Sequence, residues 1–461
     1  MSLEGLVTDD LNLPNVQTLR HISSNGQHTY ESVSIAPKGV ACCLMGAADR
    51  RPNGTKRQMF VDTPREGMPA IIHHKRKRWI CKACGKTTYE DLDWAEGGRS
   101  MTGRMGEWLF KQSIKRSFSA VAADAGIDAG TVTAVFEERA APAVKAIRLK
   151  TPRVLGLDEK HIFGGFRAVM GDVEQRTMFW MLPARTPQAL ARFFAKIPNR
   201  EKVEVVVVDM YRGYPALIRE WFPDASIVID KFHITQYATM AMDRARAALR
   251  KGMDRPERVK MLRRRWTLLK RRENWQTKHH ATFRKIKDQY PELAEIYEWK
   301  ERACQIWDAE NRRDAEMAYM KWLRDLPDRF RTFFKKFTTA MKNWGREIFN
   351  YFDHRYTNAY VERLNGMVDD ANRIGRGYSY RVLFFKTMLQ HGVPKKRPKR
   401  LIKTADILDG IDFKRLMTHI YGFGILAMFC EGLWKALTKK FHHRAVPLST
   451  LSDRFRDPSV W

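Results

Sequence analysis

Three acidic side chains sit where a chain would place groups that bind ions or handle protons. Asp158 closes the run Thr151-Pro152-Arg153-Val154-Leu155-Gly156-Leu157, a short apolar stretch that begins just after a proline. Its length and its β-branched start fit a buried central strand better than a helix. A carboxylate delivered by such a strand is costly to desolvate without a partner, and a divalent cation is a common partner for grouped carboxylates. Asp209 repeats the arrangement after Val203-Glu204-Val205-Val206-Val207-Val208, the most β-prone run of the chain. Glu362 lies in Asn358-Ala359-Tyr360-Val361-Glu362-Arg363-Leu364-Asn365. There Val361, Leu364, Val368 and Ala371 recur at helical spacing as a buried stripe, and Asn358, Glu362, Asn365 and Asp369 form the stripe beside it. A carboxylate with an amide one turn to either side can face a metal ion or a phosphate while its helix packs on a sheet. Taken singly, each acid reads equally well as an ordinary strand-end or solvent-facing residue. Two matching strand ends and a third acid together point to a shared site.

The elements that must position these acids form an α/β pattern. After Asp158 the sequence predicts a hairpin, Phe166 to Gly171 and Thr177 to Leu182 around a polar turn, then a helix from Pro187 to Ile197. The valine strand, a helix from Tyr214 to Trp221 and a strand from Ser226 to Ile229 that ends on Asp230 follow. A first strand, a hairpin and two strands each reached through a helix make the skeleton of a ribonuclease H-like mixed sheet. Between that sheet and Glu362 the chain is helical and strongly basic. Arg263, Arg264, Arg265, Lys270, Arg271 and Arg272 are interleaved with Trp266, Trp275 and Phe283. Such a stretch neutralises phosphates and offers rings for base stacking, or it is a solvated basic face over core aromatics. Spacing does not separate the two. Arg373 and Arg376, in Arg373-Ile374-Gly375-Arg376-Gly377-Tyr378, suit a nucleic-acid backbone.

The chain of 461 residues carries a net charge of +31, which makes a polyanion the first partner to consider. A membrane surface is the weaker polyanion, because no uncharged apolar stretch of spanning length occurs. Six cysteines in this length suit a reducing compartment. Cys81-Lys82-Ala83-Cys84-Gly85 is the knuckle of a zinc ribbon, with Cys42-Cys43 as a badly spaced second pair. His73 and His74 are further candidate ligands, although their basic run more simply contacts phosphate. Ser119 to Asp128 reads as a short helix stopped at Gly126, and Asp128 caps a second helix from Ala129 to Glu138. That is a helix-turn-helix, with Thr131 and Thr133 on the candidate recognition face.

The ordered motifs, from the Cys-x-x-Cys ribbon and the helix-turn-helix through Gly156-Leu157-Asp158-Glu159, Val205-Val206-Val207-Val208-Asp209-Met210, Asp230-Lys231-Phe232-His233 and Thr357-Asn358-Ala359-Tyr360-Val361-Glu362, resemble the DDE transposases of the ISL-three group of bacterial insertion sequences. The resemblance covers roughly residues 40–392. It implies that Asp158, Asp209 and Glu362 are a catalytic triad holding two Mg2+ ions, with Mn2+ as a substitute. Asp230 and His233 would be accessory groups, as would Asn358 and Asn365 from the amide stripe. The partner implied is double-stranded DNA, both terminal inverted repeats and target, bound by a homo-oligomer in the cytoplasm at the nucleoid. A catalytically silent DNA-binding regulator and a structure-selective nuclease are the competing readings. The organisation expected is a multidomain α+β chain: a zinc-ribbon-like segment (1–100), a helix-turn-helix (101–150), a catalytic core in two parts (151–233 and 346–395), an all-helical insertion (234–345) and a tail with no assigned role (396–461).

Overall fold

The computed structural model describes residues 11–39 and 50–394, and it opens on a sheet where the sequence shows little strand signal. Its strands are β1 (Val16–Ser24), β2 (Gln27–Ser34), β3 (Lys38–Gly39), β4 (Arg50–Arg65), β5 (Met68–Cys81) and β6 (Thr87–Asp91). They lie in the order β1-β2-β5-β6-β3, and β4 pairs antiparallel with β5. The small, irregular segment expected here is therefore corrected to a six-stranded sheet. The distal half of the β4–β5 ladder carries Arg50, Arg51, Lys56, Arg57, Lys75 and Lys77 and covers little core, so the apolar alternation that marks a strand is missing. Tyr30, Phe60, Ala70, Ile72 and Trp94 form the core at the other half.

His74 is corrected too. It is fully buried, with Nδ1 2.9 Å from Ser32 Oγ and Nε2 3.1 Å from Glu90 Oε1, and it cannot reach a phosphate. The Cys81 knuckle forms: Cys81 is buried at the end of β5, Cys84 is exposed, and Gly85 at φ 70° donates its N–H to the Cys81 carbonyl. Cys42 and Cys43 lie outside the described residues. Among the described residues no group of three or more His, Cys, Asp or Glu side chains is arranged to hold a metal ion.

The helix-turn-helix follows its sequence signals. Helices α1 (Gly103–Ser113), α2 (Phe118–Ala125) and α3 (Ala129–Lys145) are punctuated by Ser117, whose hydroxyl accepts from Ala120 N–H, by left-handed Gly126 at φ 66°, and by Asp128, whose carboxylate accepts from Thr131 N–H. Helix α3 runs on past Glu138 through Pro142. Thr131 donates its hydroxyl to Asp128 and Thr133 donates to the Ala129 carbonyl, so both donors are used within the helix and only their oxygen lone pairs face a ligand.

Next come β7 (Val154–Ile162), β8 (Gly165–Asp172), β9 (Thr177–Leu182), α4 (Pro187–Phe194), β10 (Val205–Val208), α5 (Tyr214–Trp221) and β11 (Ser226–Ile229). The order is β11-β10-β7-β8-β9, with β7, β8 and β9 antiparallel and with β10 and β11 parallel to β7. Strand β10 and the first half of β7 are uninterruptedly buried, as central strands covered on both faces must be. Helices α6 (Lys231–Arg250), α7 (Arg255–Leu269), α8 (Thr277–Gln289), α9 (Pro291–Gln305), α10 (Arg312–Asp325) and α11 (Asp328–His354) fill the insertion, and α12 (Ala359–Gly375) and α13 (Tyr380–His391) return to the sheet. One apolar cluster runs from Val206 and Val228 of the sheet through Ile234 and Met242 of α6 to Phe334 and Ile348 of α11.

The basic stripe of the insertion is only partly what its sequence suggests. Arg263 and Lys270 are exposed. Arg265 pairs with Asp243 at 3.0 Å, Arg271 with Asp308 at 2.7 Å, and Arg264 donates to Gln289 at 2.8 Å. Arg272 pairs with Glu298 and lies over the rings of Trp275, Phe283 and Tyr297. Trp275 donates to the Thr267 carbonyl and stacks on Tyr297, so it is core, whereas Trp266 is 64% exposed. A stripe of six free cations is therefore not what forms, because acids brought in from elsewhere in the insertion clamp three of them and the Gln289 amide takes a fourth.

The helix-turn-helix shares an apolar cluster with α12 and α13. At that seam the buried Lys386 of α13 donates to the carbonyls of Ser113 and Arg116, and the rings of Phe118, Phe136 and Tyr378 surround it. Burial pulls this ammonium from 10.5 down to about 7. Between those two values the unfolded chain holds a proton that the folded chain sheds, so stability rises with pH across that window. Urea unfolding at stepped pH should show that rise in the parent and a flatter curve in Lys386→Met. Parallel curves would mean that the carbonyls and ring faces keep the lysine charged.

Candidate active site

The site is built on a floor of two glycines. Gly156 of β7 and Gly171 of β8 are paired across the ladder. A Cβ at Gly156 would lie 2.5 Å from Val361 Cγ2 and 3.0 Å from Asn358 Oδ1, and one at Gly171 would lie 3.0 Å from Leu364 Cδ1. Their missing side chains let α12 settle against the sheet, with Val361, Leu364 and Val368 buried beneath it. The stripe beside them then faces β7. Asn358 donates from Nδ2 to the Leu157 carbonyl at 3.2 Å, Asn365 donates to Asp158 Oδ2 at 2.7 Å, and Asp369 pairs with Lys160.

Glu362 stands on the same stripe and reaches across to the end of β10. His233 Nε2 lies 2.8 Å from Asp209 Oδ1 and 3.7 Å from Glu362 Oε1, so one imidazole touches two of the three acids. The contact to Asp209 is close but not aligned as a hydrogen bond, and among the described residues both of its atoms are buried without a hydrogen-bond partner. Asp158 sits within interaction range of Asp209, Glu362 and His233. Its second oxygen accepts from the Glu159 N–H at 2.6 Å.

Asp230 lies near enough for its charge to act on Glu362 and His233, but its oxygens are engaged elsewhere. Only 2% exposed, it accepts from Phe232 N–H at 2.9 Å through Oδ1 and from Asn358 N–H at 2.7 Å through Oδ2. One carboxylate thereby caps the helix that carries His233 and pins the residue that starts the helix carrying Glu362.

The electrostatics follow from crowding. Burial first, and Asp209 second, push the Asp158 carboxyl up to about 7. Burial, and then Asp230, raise Glu362. His233 is raised by its contact with Asp209, against the burial that would lower it. A proton on the imidazole and positive charge beside the acids both relieve the same surplus of negative charge.

Comparison with known proteins bears on what such a site serves. A sequence profile described as a transposase matches residues 155–387, about half the chain and a span that contains all three acids. A second, the helix-turn-helix domain of transposase family ISL3, matches residues 90–140. The chain belongs to the ISL3 transposase family. It is also similar to the transposase for insertion sequence element IS1001 of Bordetella parapertussis, 24% identical over 363 residues that cover 77% of this chain and 89% of that one. Membership carries DNA binding and DNA cleavage and transfer as general activities. No described helix is long and apolar enough to cross a membrane.

Within this family member the structure adds residues that the sequence reading passed over. Glu159, next to Asp158, accepts from the Tyr214 hydroxyl at 2.8 Å and pairs with Arg185, whose guanidinium lies over Phe166 and Tyr211. The signal was the second acid of Gly156-Leu157-Asp158-Glu159, but nothing local announces its partners. Of the other cations named from sequence, Arg373 is exposed and 3.4 Å from Asp370, and Arg376 is the left-handed C-cap of α12 at φ 46°.

Two substitutions test how the site is held. Gly156→Ala should cost about 1–3 kcal/mol, because the added methyl must displace α12. It should also slow DNA cleavage more than it weakens DNA binding, since Glu362 moves with the helix. Denaturant unfolding and a cleavage assay on the same preparation check both. Asp230→Ala leaves two N–H groups unpaired and should cost about 2–4 kcal/mol. Asp230→Asn should recover part of that stability, and equal midpoints for the two variants would argue against the double cap.

Proposed function

We propose that this transposase binds the terminal repeats of its insertion sequence and cleaves and joins DNA phosphodiesters at Asp158, Asp209 and Glu362, with Mg2+ and alternatively Mn2+. The observation that carries the reading is the meeting of Asp209 and Glu362 at one imidazole, brought there from opposite ends of a long helical insertion. The strand order supports it. A central strand flanked on one side by an antiparallel hairpin and on the other by two parallel strands fits a ribonuclease H-like sheet, with Asp158 midway along β7 and Asp209 just past the end of the neighbouring β10.

The donors are of the type that divalent cations take, although among the described residues they are not drawn into a ligand cluster. Three carboxylates crowd together, Asp158 is raised by burial and by its neighbour, and Asp209 Oδ1 is buried without an aligned donor among the described residues. Asp158 within β7 and Asp209 just past β10, with Glu362 on α12, would hold the ions. Bound there, such ions would activate an attacking water or 3′ hydroxyl and stabilise the leaving oxygen.

The chain's own residues do the positioning. Asn365 fixes the rotation of Asp158 by donating to Oδ2. Asp230 sets the approach of α12 to α6. His233 lies between Asp209 and Glu362, and its contact with Asp209 favours the protonated form that would reduce their repulsion. Arg263, Lys270, Arg373 and Arg376 are the cations left to face DNA phosphates, with α3 of the helix-turn-helix as the element that reads sequence.

On plasmid DNA carrying the element's ends, Asp158→Asn and Glu362→Gln should each lower Mg2+-dependent strand cleavage by about 10³-fold or more, as expected for groups that act in the transition state. Duplex binding, read by gel shift, should persist or tighten, because a negative charge facing the phosphates is removed. Parental cleavage in either variant would refute the assigned roles, and absence of cleavage in the parent would favour a silent DNA-binding protein.

A further inference from the structure

Strand β7 continues past Asp158 as far as Ile162 and turns into β8 through a two-residue loop, Phe163-Gly164. Both loop residues have positive φ, 55° and 68°. A two-residue turn of this hand favours Asn, Asp or Gly at its first position, where a bulky side chain is strained. Here a phenylalanine occupies that position, and 40% of it is exposed. The turn itself gains nothing from the ring.

A second exposed ring stands on the same hairpin, three residues on. Phe166 is 44% exposed, with the Arg185 guanidinium 3.9 Å from its centroid and the exposed His161 packed edge-on at 5.0 Å. The assembly is held in place from below. Arg167 donates to the Pro183 carbonyl at 2.6 Å and to the Phe163 carbonyl at 3.5 Å, and its guanidinium lies over the Tyr380 ring. Glu159 holds Arg185 from the other side. The end of the hairpin therefore carries two exposed aromatic rings, Phe163 on a turn whose carbonyl is held and Phe166 against a cation. Phe163 lies five residues beyond Asp158, which at the rise of an extended strand is about 16 Å, or on the order of five nucleotide steps.

We propose that this hairpin tip is a stacking site for an unpaired nucleobase of the DNA strand held at the acids, with Phe163 and Phe166 supplying the ring faces and Arg185 the adjacent positive charge. Every base has a π-face, so such a platform takes any base once it is out of its pair, and it has no face to offer a base that remains stacked in the duplex. An unpaired base arises from two sources: a duplex that opens at the end of the element, or a target duplex that is bent open. The proposal rests on the reading that the DNA to be cut lies at Asp158, Asp209 and Glu362.

The test uses the full chain without added divalent metal, so that binding is read without cleavage. Three DNA probes of matched sequence are compared: a fully paired duplex, the same duplex with non-complementary arms at one end, and the same duplex with mismatched pairs at its centre. The parent should bind one of the two opened probes roughly tenfold more tightly than the paired duplex, the order expected of a stacked base. Preference for the forked probe assigns the base to the element's end, and preference for the central mismatch assigns it to the target. The double variant Phe163→Ala, Phe166→Ala should lose that preference while its affinity for the paired duplex stays parental. Phe163→Trp should keep it. If the alanine variant loses its circular-dichroism spectrum, Phe163→Leu with Phe166→Leu decides, because leucine keeps the apolar bulk and removes the π-face: a lost preference supports the platform and a retained one overturns it. Equal binding of all three probes by the parent also overturns it. That failure is distinguishable from failure of the functional reading, because cleavage by the parent and its loss in Asp158→Asn are measured on paired ends.

Discussion

Everything at the site depends on how closely one helix can approach one sheet. Helix α12 carries the third acid and both amides, and it lies where it does because Gly156 and Gly171, paired across β7 and β8, present no side chains to it. Close packing gives this contact little slack, since a methyl group added at Gly156 meets Val361 and Asn358 well inside contact distance. The direction of four polar residues, Asn358, Glu362, Asn365 and Asp369, is then decided by where the apolar stripe beside them is buried. The chemistry is set by a packing choice made on the neighbouring side of the helix.

Holding acids together is an electrostatic problem, and two devices answer it at different depths. Asp230 is spent on backbone: two N–H groups at the starts of α6 and α12 satisfy its two oxygens, so its charge is compensated by helix termini rather than by a cation. Among the described residues, Asp158, Asp209 and Glu362 have no such sinks beyond Asn365, Glu159 N–H and the shared His233. The contrast separates a carboxylate that builds from carboxylates that are kept available. The insertion makes the same division among its cations: Arg271 and Arg272 lock α9 and its neighbours, and Arg263 and Lys270 stay outside.

Much of this was legible in the sequence wherever local pattern and tertiary need coincide. The strands around Asp158, Asp209 and Asp230, the hairpin, the capped helix-turn-helix and the polar stripe of α12 all carry periodicity or capping residues that mean the same thing in isolation and in the fold. The β4–β5 ladder was hidden because strands that cover no core need no apolar alternation. His74 was misread because a basic run looks exposed until the strand alternation turns one of its members inward. Trp266 and Trp275 were indistinguishable because the acids and rings that select Trp275 for the core come from other helices. The partners of Glu159, and the double role of Asp230, depend on contacts between segments far apart in the chain, which no local window contains.

The helical insertion leaves the sheet at Asp230 and comes back to the same carboxylate at Asn358. It is a closed excursion whose departure and return are fastened at one point. A ribosome makes the chain from its N-terminus, so the DNA-reading helices and the two strand-borne acids emerge first, and Glu362 follows only after all of α6 to α11. A fragment truncated within the insertion would lack Glu362, the contact that seats α12 on Asp230, and the α12 and α13 surfaces against which the helix-turn-helix packs. Completion of the acidic cluster, and of the core beneath the helix-turn-helix, is thus tied to completion of the chain.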